Sequence, residues 1–270
     1  LALVVDRSGR AWRRAADGRV WRADGRGEWD SVVDAPGGHG ALHAVVLDES
    51  GEVWSAWGRR LLRLSDDGRG KGVALADEEV ALAPRDGGGL WVGLVRGVAR
   101  VVDGRLDRLS IRPELEEKVH AIAPVSGDVL WLATDRGLSR IDRQADGSWR
   151  RSSLRLSLSP TGSVRSLNLD RHGGLWVGTV GDGLVRVDRL ATRRFGAESG
   201  LEDVAALAPD GAGGAFVASG CRNLLHLDGS GASRVVPLPA GGGPAQPCGI
   251  SLAAGPRSSV LVRSGVRLLR

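Results

Sequence analysis

The 270-residue sequence has no methionine and no tyrosine, and it holds only two phenylalanines, two asparagines and two lysines, Lys71 and Lys118. With so few lysines, nearly all of the 37 basic residues are arginine, the habit of a GC-rich genome. These arginines run along the whole chain and form neither an arm nor a basic helix, so the net charge of +5 does not point to nucleic acid. No apolar run approaches the roughly 18 residues of a membrane span, so this segment is not expected to contact a membrane itself. Leu1 opens without a start methionine or a charged leader, which reads as a slice of a longer chain. Two cysteines, Cys221 and Cys248, are too few for a zinc site or a disulfide-dense small domain.

Enzyme signatures are also missing. There is no G-x-S-x-G elbow, H-E-x-x-H pair or G-x-G-x-x-G fingerprint, and Gly70-Lys71 continues into Gly72 where a phosphate loop needs Ser or Thr. His39, His172 and His226 fall in a loop, a turn and a strand with no shared face. The expectation is a non-enzymatic domain with no catalytic residues, no metal site and no cofactor.

What the sequence does have is 41 glycines, nine tryptophans and a repeat. The clearest copies are Gly89-Leu90-Trp91-Val92-Gly93, Val129-Leu130-Trp131-Leu132-Ala133-Thr134 and Gly174-Leu175-Trp176-Val177-Gly178-Thr179. Weaker copies centre on Trp12, Trp54, Phe216 and Leu261, so the anchors recur roughly every 41 residues, the length of a propeller blade. Before four anchors an Asp stands six residues upstream and a Gly three upstream: Asp6 and Gly9, Asp48 and Gly51, Asp170 and Gly173, Asp210 and Gly213. Asp bonds its own backbone two residues on, and Gly takes the positive φ of a tight turn. The apolar stretch ahead of the Asp (strand A) therefore folds back on the anchor strand (strand B). A third strand (C) follows the pattern apolar-x-Arg-x-Asp, as in Leu138/Arg140/Asp142 and Leu184/Arg186/Asp188, and an outer strand (D) carries Trp29, Leu106, Trp149 and Phe195.

Small four-stranded sheets repeated in this way bury both faces only by stacking radially. The predicted fold is all-β: a single seven-bladed β-propeller of four-stranded antiparallel blades over 1–270, with the last blade incomplete. Its blades fall at about 1–41, 42–78, 79–118, 119–163, 164–203, 204–248 and 249–270. A calcium-centred propeller hydrolase is disfavoured, because Asn occurs only at 168 and 223.

A residue present in every blade answers a need of every blade, so function is expected where the repeat breaks. The anchor tryptophans then read as core, and Arg22, Arg63, Arg100, Arg140 and Arg186 as hydrogen-bonding groups between blades. The B–C loops and D–A connections emerge at one end, the expected binding face, and its B–C loops carry Arg14, Arg59, Arg60, Arg96, Arg136, Arg222 and Arg263. These are either solvated loop arginines or a ring that attracts an anionic ligand such as a uronic-acid sugar or an acidic protein. Trp57 stands where other blades have Ala15, Leu94, Thr134, Thr179 or Ser219, and beside Gly58-Arg59-Arg60 it reads as a stacking platform. His43, His120 and Arg165 open strand A where other blades have Leu1, Val80, Ala205 and Ile250. The candidate ligand-binding set is therefore His43, Trp57, Arg59, Arg60, Arg96, His120, Arg136, Arg165 and Arg222.

Leu-Trp-Val-Gly-Thr followed by Gly-Leu-x-Arg-x-Asp, from Gly174 to Asp188 and in weaker form from Val129 to Asp142, resembles the two-component regulator propeller repeat. That family's propellers form the periplasmic sensing part of bacterial membrane receptors, ahead of a β-sandwich, a membrane span and a histidine kinase or diguanylate cyclase. The resemblance implies a periplasmic sensor domain in signal transduction. Its partner would be a small-molecule or oligosaccharide ligand, or a protein, with a homodimer formed through the full receptor. It supplies no shared catalytic residues. An interaction scaffold, or a propeller lyase or hydrolase with the same Gly-x-x-Trp repeats, is the alternative. Cys221 in a B–C loop and Cys248 at the start of the next blade fall on the same face. A disulfide between them would suit an oxidising periplasm, with two unpaired thiols as the alternative.

Overall fold

The computed structural model describes residues 3–14, 19–23, 28–33, 45–57, 59–64, 70–75, 79–156, 163–187, 192–196, 201, 203–219, 223–228, 232–237, 250–254, 260–264 and 267–269. All the regular structure among them is β, and no helix is long and apolar enough to cross a membrane. The chain divides into two compact units, Leu1–Leu154 and Arg155–Arg270.

In the first unit, β1 (Leu3–Val5), β2 (Ala11–Arg14), β3 (Val20–Ala23) and β4 (Trp29–Val33) make one antiparallel sheet, blade 1. Blade 2 is β5 (Val45–Leu47), β6 (Val53–Trp57), β7 (Arg60–Leu64) and β8 (Gly70–Ala74). Blade 3 is β9 (Glu79–Pro84), β10 (Leu90–Leu94), β11 (Val98–Val102) and β12 (Arg105–Arg108). Blade 4 is β14 (Val119–Ser126), β15 (Val129–Thr134), β16 (Gly137–Arg143) and β17 (Trp149–Leu154), and β13 (Ile111–Arg112) joins its outer edge in parallel with β17. That parallel fifth strand is not legible in the repeat.

In the second unit, blade 5 is β18 (Ser163–Leu169), β19 (Leu175–Val180), β20 (Leu184–Val187) and β21 (Thr192–Phe195). Blade 6 is β22 (Val204–Pro209), β23 (Ala215–Ser219), β24 (Asn223–Leu227) and β25 (Ser233–Val236). The last sheet has three strands, β26 (Ile250–Ala254), β27 (Val260–Ser264) and β28 (Arg267–Leu269). Among the described residues the four-stranded antiparallel meander thus occurs in six blades, not seven, with a three-stranded sheet where an incomplete blade was expected.

Within each unit the first strands of successive blades lie side by side: β1, β5, β9 and β14 in one, β18, β22 and β26 in the other. Strand A is therefore the inner strand and strand D the outer, and the apolar cores lie between neighbouring blades. One cluster joins blades 3 and 4 through Trp91, Val98, Leu130, Leu132, Ile141 and Trp149. In the second unit another joins blades 5 and 6 through Trp176, Leu184, Phe195, Val217 and Leu227.

The recurrent Asp builds the A–B turn and also anchors the tryptophan. Asp6 accepts the backbone N–H of Ser8 and Arg10 on Oδ1 at 2.9 and 3.0 Å, while its Oδ2 accepts the Trp12 indole N–H at 2.8 Å. Asp48 repeats this with the Trp54 indole at 2.9 Å. Gly9 and Gly51 take the left-handed φ the turn requires, +79° and +89°. In blades 5 and 6 the same carboxylate oxygen turns to strand C instead, accepting from Arg186 at 2.9 Å and meeting His226 Nε2 at 2.9 Å. Burial alone would raise these carboxyls. Hydrogen bonds from Trp12 and Arg10 hold Asp6 below its ordinary value, those from Ser50, Trp54 and Glu52 hold Asp48 there, and His226 with two backbone N–H groups does so for Asp210. A depressed folded-state pKa contributes stability that is complete above the unfolded value, about 3.9 for Asp, and is lost as pH falls through the folded value. The melting temperature is expected to hold from pH 7 to about 5 and to fall steeply below about 4. In Asp48→Asn the start should be lower and the acid limb shallower, as read by circular dichroism melts across pH.

Arg63, Arg100, Arg140 and Arg186 of strand C bond within their own blades, a correction to the inter-blade role expected of them. Each stands directly across the sheet from its anchor: Trp12 from Arg22, Trp54 from Arg63, Trp91 from Arg100, Trp131 from Arg140 and Trp176 from Arg186. Arg63 bonds Glu52 at 3.0 Å, Arg100 bonds Asp107 at 2.8 Å and Arg140 bonds Asp142 at 2.7 Å. The Arg22, Arg140 and Arg186 guanidiniums also lie 5.3 to 5.9 Å from the centre of their own blade's tryptophan ring. Trp12, Trp54, Trp91 and Trp176 are buried as expected, whereas Trp131 is only half-buried.

The glycine two residues after the anchor marks where the next inner strand comes closest. A Cβ at Gly178 would meet Val204 Cγ1 at 2.7 Å and would collide with Ser166 Oγ. Gly178→Ala is expected to cost about 1–3 kcal/mol by overpacking, read as a lowered urea midpoint.

Candidate functional site

The B–C turns of blades 3 and 4 and the connection between those two blades form the candidate site in the first unit. The inner strand of blade 4 enters through a β-bulge: Val119 pairs with Thr134 and Ala121 with Ala133, leaving His120 as the extra residue. A bulge re-aims its side chain out of the regular alternation. The same irregularity falls at Val80 in blade 3 and, in the second unit, at Arg165 and Ala205. The positions aligned in sequence at the start of strand A are thus one structural device, and the residue on it is His or Arg only in some blades.

His120 is nearly buried along its side chain, and its Nε2 lies 2.5 Å from Asp135 Oδ1 in the B–C turn of the same blade. That turn is closed by the Thr134 hydroxyl, which donates to the Gly137 carbonyl at 3.2 Å. The His120 hydrogen bond, opposed by slight burial and joined by the Lys118 backbone N–H, holds the Asp135 carboxyl below its ordinary range. One residue on, Arg136 points to solvent at 77% side-chain exposure while its Nε stays 3.4 Å from Glu117 Oε1.

Glu117, in the connection leading into β14, is the pivot. Its carboxylate accepts both Arg151 Nη groups, at 2.9 and 3.0 Å, and the two side chains are 7% and 9% exposed. Burial pushes the Glu117 carboxyl up, but the Arg151 hydrogen bonds and the Arg151 and Arg136 charges hold it below its ordinary value. Arg151 Nε also donates to Ser139 Oγ at 3.2 Å, so the guanidinium is fixed from three sides. The B–C turn of blade 3 reaches the same connection. A Cβ at Gly97 would lie 3.7 Å from the Leu115 carbonyl, and the Arg96 carbonyl accepts from Arg108 Nη2.

The structure therefore gathers Arg96, His120 and Arg136 of the sequence-based set around the 113–118 connection. Sequence reasoning missed Glu117, Asp135 and Arg151, which orient them. Glu117 has no counterpart in the repeat, and its partner lies 34 residues away in an outer strand. Arg59 and Arg60 are exposed at the B–C turn of blade 2, where the Arg59 carbonyl accepts from the Leu75 N–H at 2.8 Å. Trp57, expected in a loop, ends strand β6 in register with Arg60. Arg165 is exposed on its bulge in the second unit. His43, Arg222, Cys221 and Cys248 lie outside the described residues.

A fixed carboxylate pivot beneath exposed guanidiniums suits the capture of an anionic or hydroxyl-rich group. The His120–Asp135 pair holds an imidazole in one orientation at the same rim.

Residues 157–181 match the family described as two component regulator propeller. No curated protein matches the sequence. In structure the chain is similar to virginiamycin B lyase of Staphylococcus aureus, with TM-score 0.78 and 13% identity over 97% of this chain and 90% of that one. It is also similar to the extracellular domain of a one-component system of B. thetaiotaomicron, with TM-score 0.74 and 15% identity. There 97% of this chain matches 36% of the larger one. The WD40 β-propeller domain of Doa1 matches with TM-score 0.73 and 16% identity over 99% and 90% of the two chains. At such identities the likeness shows the fold. The chain is thus a β-propeller whose residues 157–181 match the two-component regulator propeller repeat.

Proposed function

We propose that the chain is the ligand-sensing, extracytoplasmic propeller of a bacterial signal-transduction receptor, non-catalytic in itself. The observation that carries this reading is the pairing of the two-component regulator repeat at 157–181 with the rim of Arg96, His120, Arg136 and Glu117. A repeat scaffold needs no such group in any one blade, and the likeness to an extracellular receptor domain supports the setting. The ligand is an anionic small molecule or oligosaccharide, met first by the exposed Arg136 guanidinium. Isothermal titration against acidic and neutral oligosaccharides tests the reading. Binding of an acidic member, weakened at least tenfold in Arg136→Ala with the melting temperature unchanged, is the expected result. Silence across the panel counts against it.

The likeness to virginiamycin B lyase, together with the 2.5 Å His120–Asp135 contact, favours a propeller lyase as the second reading. Turnover of virginiamycin B that is lost in His120→Ala would favour it over sensing.

A further inference from the structure

The A–B turn of blade 3 departs from those of blades 1 and 2 at the position that anchors their tryptophans. Six residues before Trp12 and Trp54 stand Asp6 and Asp48, whose carboxylates accept the indole N–H. Six residues before Trp91 stands Arg85. The buried Trp91 Nε1 meets no acceptor among the described residues, and neither does the buried Arg85 Nε. The Arg85 guanidinium lies 6.0 Å from the Trp91 ring centre, with Nη1 donating to the Gly88 carbonyl at 2.9 Å. Where blades 1 and 2 place a carboxylate that accepts the indole, blade 3 places another donor.

Of these two donors, Arg85 lines a cavity of about 590 Å³, together with Arg100, Val102, Asp103, Arg105 and Asp107. It opens at the end of the blade carrying the A–B and C–D turns, opposite the B–C rim. Arg100 is committed to Asp107, through Nε at 2.8 Å and Nη2 at 2.6 Å. That leaves Arg85 and Arg105 facing the single carboxylate of Asp103, a net positive lining. A buried guanidinium Nε without an acceptor is costly, and an oxyanion in the cavity that Arg85 lines is a group that satisfies it.

We propose that blade 3 binds an exogenous oxyanion, a carboxylate or a sulfate, at Arg85 and Arg105, in place of the aspartate that blades 1 and 2 supply from their own chain. This site is independent of the B–C rim. Arg85→Asp restores the residue of the neighbouring turns and should bond the Trp91 indole as Asp48 bonds Trp54.

The test is thermal melting of the full chain at constant ionic strength in sodium acetate, sodium glucuronate or sodium sulfate against sodium chloride. A bound anion a hundredfold above its dissociation constant should raise Tm by roughly 5 °C or more. Arg85→Asp should melt higher than the parent in chloride and lose the anion response. Sulfate strengthens apolar burial in any protein, so the diagnostic is the difference between parent and variant. A response to both carboxylates assigns the carboxylate itself, to glucuronate alone a sugar acid, and to sulfate alone a sulfate group. Equal responses of parent and Arg85→Asp to every anion overturn the proposal and leave an adventitious ion only. Should Arg85→Asp not fold, Arg105→Gln serves in its place: a reduced response supports the site and an unchanged one overturns it.

Discussion

Trp91→Ala is expected to destabilise the protein by about 3–5 kcal/mol, read as a lowered urea midpoint by circular dichroism. Trp91 is fully buried, and its ring meets Trp149 of the next blade edge-on, with centroids 5.7 Å apart and planes at 83°. Both rings belong to the cluster that holds blades 3 and 4 together, so truncation opens a cavity between two sheets rather than inside one. The phenylalanine variants separate packing from hydrogen bonding. Trp91→Phe removes an N–H that has no acceptor and should cost less than about 1.5 kcal/mol. Trp54→Phe removes the donor to Asp48 and should cost about 1–3 kcal/mol more, because a buried carboxylate loses a partner. Equal costs for the two would show that the indole bond to the turn carboxylate contributes nothing to the blade.

That contrast marks what was legible in the sequence. The Asp six residues before the anchor and the Gly three before it announce an A–B hairpin, and the hairpin is there, because turn chemistry is local. That the same Asp reaches the tryptophan required the register, in which Val4 pairs with Trp12 and Val46 with Trp54 and the indole swings back over the turn. Register also overturns the reading of the strand C arginines: each faces its own tryptophan because the B–C turns are of nearly constant length. The alignment of His120 with Arg165, Val80 and Ala205 was visible as a column of unlike residues. Its cause, a bulge at the entry to strand A, was not, since a bulge is a mismatch between two strands and one strand's sequence does not contain it. Glu117 and Arg151 were invisible because each lies in an element without repeat constraints, an entry connection and an outer strand.

Glu117→Ala is expected to destabilise by about 3–5 kcal/mol and to disorganise the rim at once. Removing the carboxylate leaves the Arg151 guanidinium, 9% exposed, without a counter-charge, and the Ser139 hydroxyl and Glu114 carbonyl it also bonds carry no full charge. Arg136→Ala, by contrast, deletes a side chain that is 77% exposed, and its stability should stay within about 0.5 kcal/mol of the parent. The two variants therefore divide the network into a structural half and a solvent-facing half that share one carboxylate. The sign with pH follows from the depressed Glu117 value. The contribution of the pair is complete above the unfolded glutamate value, about 4.3, and declines as pH falls through the lower folded one. The stability gap between parent and Glu117→Ala should be widest near neutrality and should narrow steadily below about pH 4. A gap that persists undiminished at pH 3 would mean that Glu117 acts there through packing rather than charge, and that Arg136 is not held at the rim by the carboxylate beneath it.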